Sequence, residues 1–169
     1  MTGGAVRRPA REPVNPGQES VWDYPRPPRL EPVRARVRVE LAGHTVADTT
    51  AAYRVLETSH PPAYYLPPED CVAEVFEPAP GSSFCEWKGA ARYETVRIDG
   101  GVAERAAWHY PTPTPEFAAI TDHRSFYPAL VECTVDGVAV TPQPGGFYGG
   151  WITADVVGPF KGEPGTSWW

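Results

Sequence analysis

The sequence predicts a mainly β domain, and three observations carry that reading. Apolar residues alternate with polar ones over short stretches, most cleanly where Val37, Val39 and Leu41 interleave with Arg36, Arg38 and Glu40. Hairpin turn residues punctuate the chain at Ala42-Gly43, Asp99-Gly100-Gly101 and Asp136-Gly137. Among 169 residues there are 21 prolines and 16 glycines, which leaves little room for long amphipathic helices. The expected architecture is a single small domain of short antiparallel strands folded into a compact barrel or sandwich, with at most one or two short helices. Closing or folding the sheet on itself hides its edges.

The elements follow in order. Residues 1–20 read as a disordered arm, because glycines and prolines interrupt any period and the charges nearly balance. Residues 21–169 form the single β domain. Its first stretch, Val21 to Pro28, is proline-stiffened and carries Trp22 and Tyr24 as aromatic anchors. The alternating run at Val37–Leu41 turns at Ala42-Gly43 into His44–Asp48, and Tyr53–Thr58 makes a third strand. His60–Pro68 is an extended piece held between prolines, at a sheet edge. Cys71–Phe76 fits either a strand or one or two helical turns; periodicity does not decide between them.

The central strand is expected from Phe84 to about Ile98. In extended chain Cys85, Trp87, Ala91 and Tyr93 share one face, and Glu86, Lys88 and Arg92 share the other. The parity breaks before Val96 and Ile98, so a bulge belongs near Glu94 or Thr95. Asp99-Gly100-Gly101 turns the chain into a return strand from Val102 to Tyr110. Glu116–Ile120 is the one helix candidate, with Thr114 at the N-cap and Pro115 first inside. Leu130–Thr134 and Val138–Thr141 form a hairpin about Asp136-Gly137. The closing part is rich in glycine and aromatics, through Gly145–Ile152 to Trp168-Trp169.

A net charge of −6 argues against a nucleic-acid surface. No apolar run has the length to span a bilayer, and no hydrophobic stretch follows the early arginines as in a secretory signal. Three scattered cysteines fit a reducing cytoplasm. No His and Cys spacing matches a metal site, and no cofactor is expected.

The strings Cys85-Glu86-Trp87-Lys88-Gly89 with Tyr93 downstream, Tyr65-x-Pro67 with Asp70, Ala107-Trp108 and Phe126-Tyr127-Pro128 carry a resemblance. So do Asp136-Gly137, Phe147-Tyr148-Gly149-Gly150-Trp151 and Gly158-Pro159-Phe160-Lys161-Gly162. Together they resemble the bacterial domain of unknown function 427 family, over about Trp22 to Trp169. The resemblance implies a small, mainly β fold of Mss4-like topology and no established activity. A nucleotidyltransferase label sometimes attached to that family finds no support here. The chain has no Gly-Ser turn followed by a paired Asp-x-Asp.

Two functional readings stand side by side. In the first, Glu86 and Lys88 centre a pocket for a small, anionic organic ligand. Lys88 and Arg92 hold the anion, Glu86 orients Lys88 or acts as acid/base, and Tyr65, Trp108 and Tyr127 supply walls. Whether that pocket catalyses a reaction stays open. In the second, exposed Trp22, Tyr24, Trp168 and Trp169 and a free strand edge form a protein-interaction surface. A homodimer that swaps or pairs its Pro-rich N-terminal segment suits either reading. Trp87, Trp151 and Cys85 are read as core residues.

Overall fold

The structure is a computed structural model and describes residues 8–169. Among these residues the strands run β1 (Glu19–Ser20), β2 (Arg29–Val33), β3 (Val37–Leu41), β4 (His44–Thr49) and β5 (Ala52–Leu56). They continue with β6 (Ala63–Tyr65), β7 (Phe76–Cys85), β8 (Gly89–Ile98), β9 (Gly101–His109) and β10 (Ser125–Phe126). The last are β11 (Glu132–Val135), β12 (Val138–Ala139), β13 (Thr141–Pro142), β14 (Trp151–Ile152) and β15 (Val156–Val157). The helical pieces are 3-10 turns, the longest being Pro115–Ile120. Thr114 caps it by position, but its hydroxyl donates instead to the Trp87 carbonyl at 2.6 Å.

Turn chemistry sets the hairpins. Ala42 and Gly43 have φ of 47° and 80°, and Asp136 and Gly137 have 48° and 80°. Two consecutive positive φ values give the turn whose twist matches the flanking strands. These turns join β3 to β4 and β11 to β12, and the four strands form one sheet in the order β12-β11-β3-β4. A second sheet runs β10-β9-β8-β7, and a third β2-β5-β6. The pairings within all three are antiparallel. They stack as a sandwich-like domain, and among the described residues no closed barrel forms.

The expected bulge is present, as a register shift between Glu94 and Val96 in the β8–β9 pairing. It allows Ala91 and Tyr93 on one side of it, and Val96 and Ile98 on the other, all to pack on hydrophobic clusters. The largest cluster joins Val37, Val39 and Val46 to Val96, Phe126 and Trp151. Trp151 is fully buried, stacks on Tyr64 at 4.7 Å, and donates its indole N–H to the Phe126 carbonyl at 2.9 Å. Its one polar atom is therefore satisfied, as a buried Trp requires. A second cluster holds Val55, Tyr65, Ala91, Trp108, Tyr110, Phe117 and Ile120.

The structure corrects the expected central strand. Glu86, Trp87 and Lys88 are not extended; they are the three-residue turn between β7 and β8, closed by the Cys85–Gly89 pair. The residue that closes the turn is Gly89, with φ of 107°. That conformation is strained for any side chain. The strand before the turn, β7, includes Pro78 and Pro80, which the sequence reading left outside the strand. It lies at the edge of its sheet, where a missing backbone N–H costs no ladder bond.

The N-terminal expectation also changes. Residues 1–7 lie outside the described residues. Over residues 8–20 the chain is tied down. The Glu12 N–H donates to the Gly158 carbonyl at 3.0 Å, and the Glu12 carboxylate accepts from the Gly158 N–H at 3.1 Å. β1 pairs in parallel with β15. Trp22 and Tyr24, expected as exposed anchors, are buried at 4% and 6% exposure beside Leu56 and Val156.

Candidate functional site

The β7–β8 turn is fixed from outside. The Thr114 N–H donates to the Lys88 carbonyl at 3.1 Å, and the Thr114 hydroxyl holds the Trp87 carbonyl. With its backbone pinned, the Lys88 side chain turns inward across the second cluster. Its Nζ lies 5.9 Å from the Tyr65 ring centroid and 5.6 Å from that of Tyr110. An ammonium at this range from aromatic faces gains cation–π attraction of about 0.5–2 kcal/mol. No carboxylate lies within ion-pair distance of it among the described residues. Burial pushes the lysine down, but the fields of Tyr65, Cys85 and Glu57 outweigh it and hold the pKa above its ordinary value. Lys88 is therefore a cation at neutral pH.

That cation borders a cavity of about 290 Å³. Tyr65, Trp108, Tyr110 and Tyr127 form its aromatic wall, with Trp108 4.7 Å from Tyr127 and edge-on to Tyr65 at 6.4 Å. The Trp108 indole N–H donates to the Tyr65 hydroxyl at 3.4 Å. Gly149 lies so close to the Trp108 ring that a Cβ there would overlap it. Gly150 is similarly confined, since its Cβ would come 2.5 Å from Gln143 Oε1. The two glycines let the closing loop press onto the wall.

Gln143 organises the polar side. Its Oε1 accepts from the Gly150 N–H at 3.0 Å, and its Nε2 donates to the Lys161 carbonyl at 2.8 Å. Both partners are backbone groups of known polarity, so the amide orientation is assigned by the network. The same Nε2 is 3.1 Å from His60 Nδ1, which must accept, and His60 Nε2 then carries its proton toward Glu57 at 3.3 Å. Burial would raise the Glu57 carboxyl, but the His60 hydrogen bond and the nearby Arg26 and Lys88 cations bring it from 4.5 to about 2. Lys161 completes the rim, with Nζ 5.4 Å from the Tyr148 ring and 3.2 Å from the Trp169 carbonyl oxygen.

Of the residues singled out from sequence, Lys88, Tyr65, Trp108 and Tyr127 come together around this cavity. Glu86 and Arg92 do not: both are exposed and neither lines it. The turn is the reason, because it removes the strand alternation that put Glu86 and Lys88 on one face. Glu57 and Gln143 take the polar places that Glu86 and Arg92 were assigned. Glu57 sits at the end of a strand with no motif to mark it. Gln143 is a buried polar residue between prolines, which sequence alone does not announce.

A larger cavity of about 570 Å³ lies elsewhere, against Arg54 and Tyr64. Its deep cation is already neutralised, since Arg54 bonds Glu19 at 2.9 Å and Glu31 at 2.8 Å. Among the described residues no cluster of three or more His, Cys, Asp or Glu is placed to hold a metal ion. No helix there is long and apolar enough to cross a membrane.

Comparison with known proteins adds a family to this geometry. No curated protein matches the sequence. The family described as a domain of unknown function (DUF427) matches residues 29–137, from β2 to the β11–β12 turn. Lys88 and the aromatic wall fall inside that span, whereas Gln143, Gly149 and Lys161 follow it. With most of its length matched, the chain belongs to the domain of unknown function 427 family.

Proposed function

We propose that this chain binds a small organic anion in the cavity beside Lys88. The observation that supports it is an inward-turned ammonium with aromatic neighbours, no carboxylate partner among the described residues, and open space in front of it. A half-buried ammonium without a carboxylate partner has given up part of its hydration, and an arriving anion would recover that cost. Aromatic walls with a few converging polar groups are the usual make-up of a small-ligand site. Binding is favoured over acid/base catalysis. Both His60 nitrogens are engaged, and Glu57, with a pKa of about 2, is a weak base. A reducing, cytoplasmic setting belongs to the same proposal, supported by three cysteines that form no disulfide.

The test is a thermal-shift screen of carboxylates and phosphates on the wild type and on Lys88→Met. A ligand at about a hundred times its Kd stabilises by roughly 2.7 kcal/mol. For a domain of this size that is about 5–10 °C. The expected result is a shift in wild type that Lys88→Met loses while remaining folded. Shifts of equal size in both proteins, or none with any anion, would overturn the reading.

A further inference from the structure

The cavity beside Lys88 is small for a complete ligand site. Its 290 Å³ lies at the lower edge of the roughly 300–1,000 Å³ usual for small-molecule pockets. A second cavity of about 440 Å³ abuts it, and the two share Tyr93, Tyr127, Gln143, Phe147 and Tyr148 as lining. Their chemistry differs. The inner chamber holds Lys88, Lys161, Glu57 and His60. The outer one is walled by Pro128, Ala129, Leu130 and Pro142, with Glu104 and Arg105 as its charged residues.

The boundary between them is weak. The Tyr127 hydroxyl reaches the Phe147 carbonyl at 3.4 Å, a long hydrogen bond in an exposed place. Phe147 itself is 73% exposed, and Phe84, which lines the inner chamber, is 78% exposed. Leu130 is 47% exposed in the outer chamber. Two apolar rings flank a cation-bearing chamber, and an apolar trough continues from it. Scattered exposed apolar residues are ordinary, but these line two adjoining cavities that share a wall.

Resting on the reading of Lys88 as an anion site, we propose that the ligand is a monomeric amphipathic anion whose apolar body runs past Tyr127 and Phe147 into the trough at Leu130. The anionic head lies in the inner chamber, near the Lys88 ammonium. The body displaces water from Leu130, Pro128 and Pro142, and the Tyr127–Phe147 bond parts to admit it.

The experiment titrates a series of straight-chain monocarboxylates, from acetate to decanoate and below their micelle concentrations, into wild type, Leu130→Asp and Lys88→Met by calorimetry. In wild type, affinity should climb by about fourfold for each methylene that enters the trough. Leu130→Asp should cut the affinity of the long acids at least tenfold and leave the short ones unchanged. Lys88→Met should weaken every length. If short acids bind through Lys88 but longer ones gain nothing, the trough is not used; this inference falls and the anion site stands. If no acid of any length binds while a phosphate still shifts the wild type, this inference falls alone; if no anion binds, both fall. Long acids that bind equally well to Lys88→Met would overturn the inference by showing an apolar surface without a head-group site. Co-sedimentation with anionic phospholipid vesicles, without monomer binding, would overturn it in favour of a bilayer.

Discussion

Two charged groups on or beside β8, one buried and one half-buried, are accommodated in opposite ways. Glu94, 8% exposed, is met from two sides. Arg124 approaches its two oxygens at 2.9 and 3.2 Å, in the forked geometry that suits a carboxylate. His109 Nδ1 comes within 3.1 Å of it, although aimed too poorly to make a linear hydrogen bond. Arg124 also lies 3.8 Å from the centroid of the Phe76 ring. Lys88, in the turn just before the same strand, has aromatic faces and an open cavity instead of a carboxylate. The first arrangement is closed, since each charge has its complement inside the chain. The second is open, with no carboxylate of the described residues facing it, and on the proposed reading an anion from outside completes it. A buried charge is thus a structural device or a binding device according to whether its partner is covalently part of the fold.

The largest expected effect follows from opening the closed arrangement. Arg124→Ala leaves the Glu94 carboxylate buried without its main partner. Breaking such a pair costs about 3–5 kcal/mol. Urea denaturation of wild type and variant should show a loss in that range, with an unchanged m-value. A loss below about 1 kcal/mol would mean that water reaches Glu94 freely, and the contrast with Lys88 would dissolve.

Acid should act on the same group. Burial would raise the Glu94 carboxyl, but His109 and Arg124 lower it from 4.5 to about 2. A carboxyl depressed in the folded state contributes its stability fully above the unfolded value. That contribution is lost as pH falls from about 4.5 toward 2. A depression of this size corresponds to about 3 kcal/mol. Glu57 is lowered over the same window by His60, Arg26 and Lys88. Denaturation midpoints measured from pH 6 to pH 2 should fall steeply for wild type and less steeply for Glu94→Gln. Parallel curves would assign the acid loss to other carboxyls.

How much of this was legible in the sequence depends on whether local chemistry decided the outcome. The β3–β4 and β11–β12 hairpins were legible because Ala42-Gly43 and Asp136-Gly137 set their own backbone. The bulge beside Glu94 was legible because Val96 and Ile98 break the parity set by Ala91 and Tyr93. The turn at Glu86–Lys88 was misread, since Trp87 and Lys88 carry no turn preference and the one signal was Gly89. That single misreading moved Glu86 and Arg92 into the site on paper and out of it in space. Lys88 reached the cavity for a different reason from the one the sequence offered, through the anchoring of the turn by Thr114. The Glu57–His60–Gln143 chain was invisible because Gln143 lies 83 residues beyond His60 and only the folded closing loop brings it to the neighbouring Glu57 and His60.

The smallest expected effect is on the stability of the open arrangement. Lys88→Met keeps a long, flexible side chain against Tyr65 and Tyr110 and removes a charge that the fold does not pair. The cation–π attraction that is lost, about 0.5–2 kcal/mol, is offset by the charge that no longer needs solvating. Thioether contacts with the rings return a similar amount. The net change should lie within about 1 kcal/mol of zero, several-fold less than for Arg124→Ala in the same urea titration. A loss as large as that of Arg124→Ala would mean that the ammonium is already satisfied by groups of the chain, with Tyr65 the nearest candidate. Lys88 would then belong with Glu94 as a structural charge. A near-zero change leaves a cation kept at no benefit to the fold, which is the energetic signature of a residue retained for what it meets from outside.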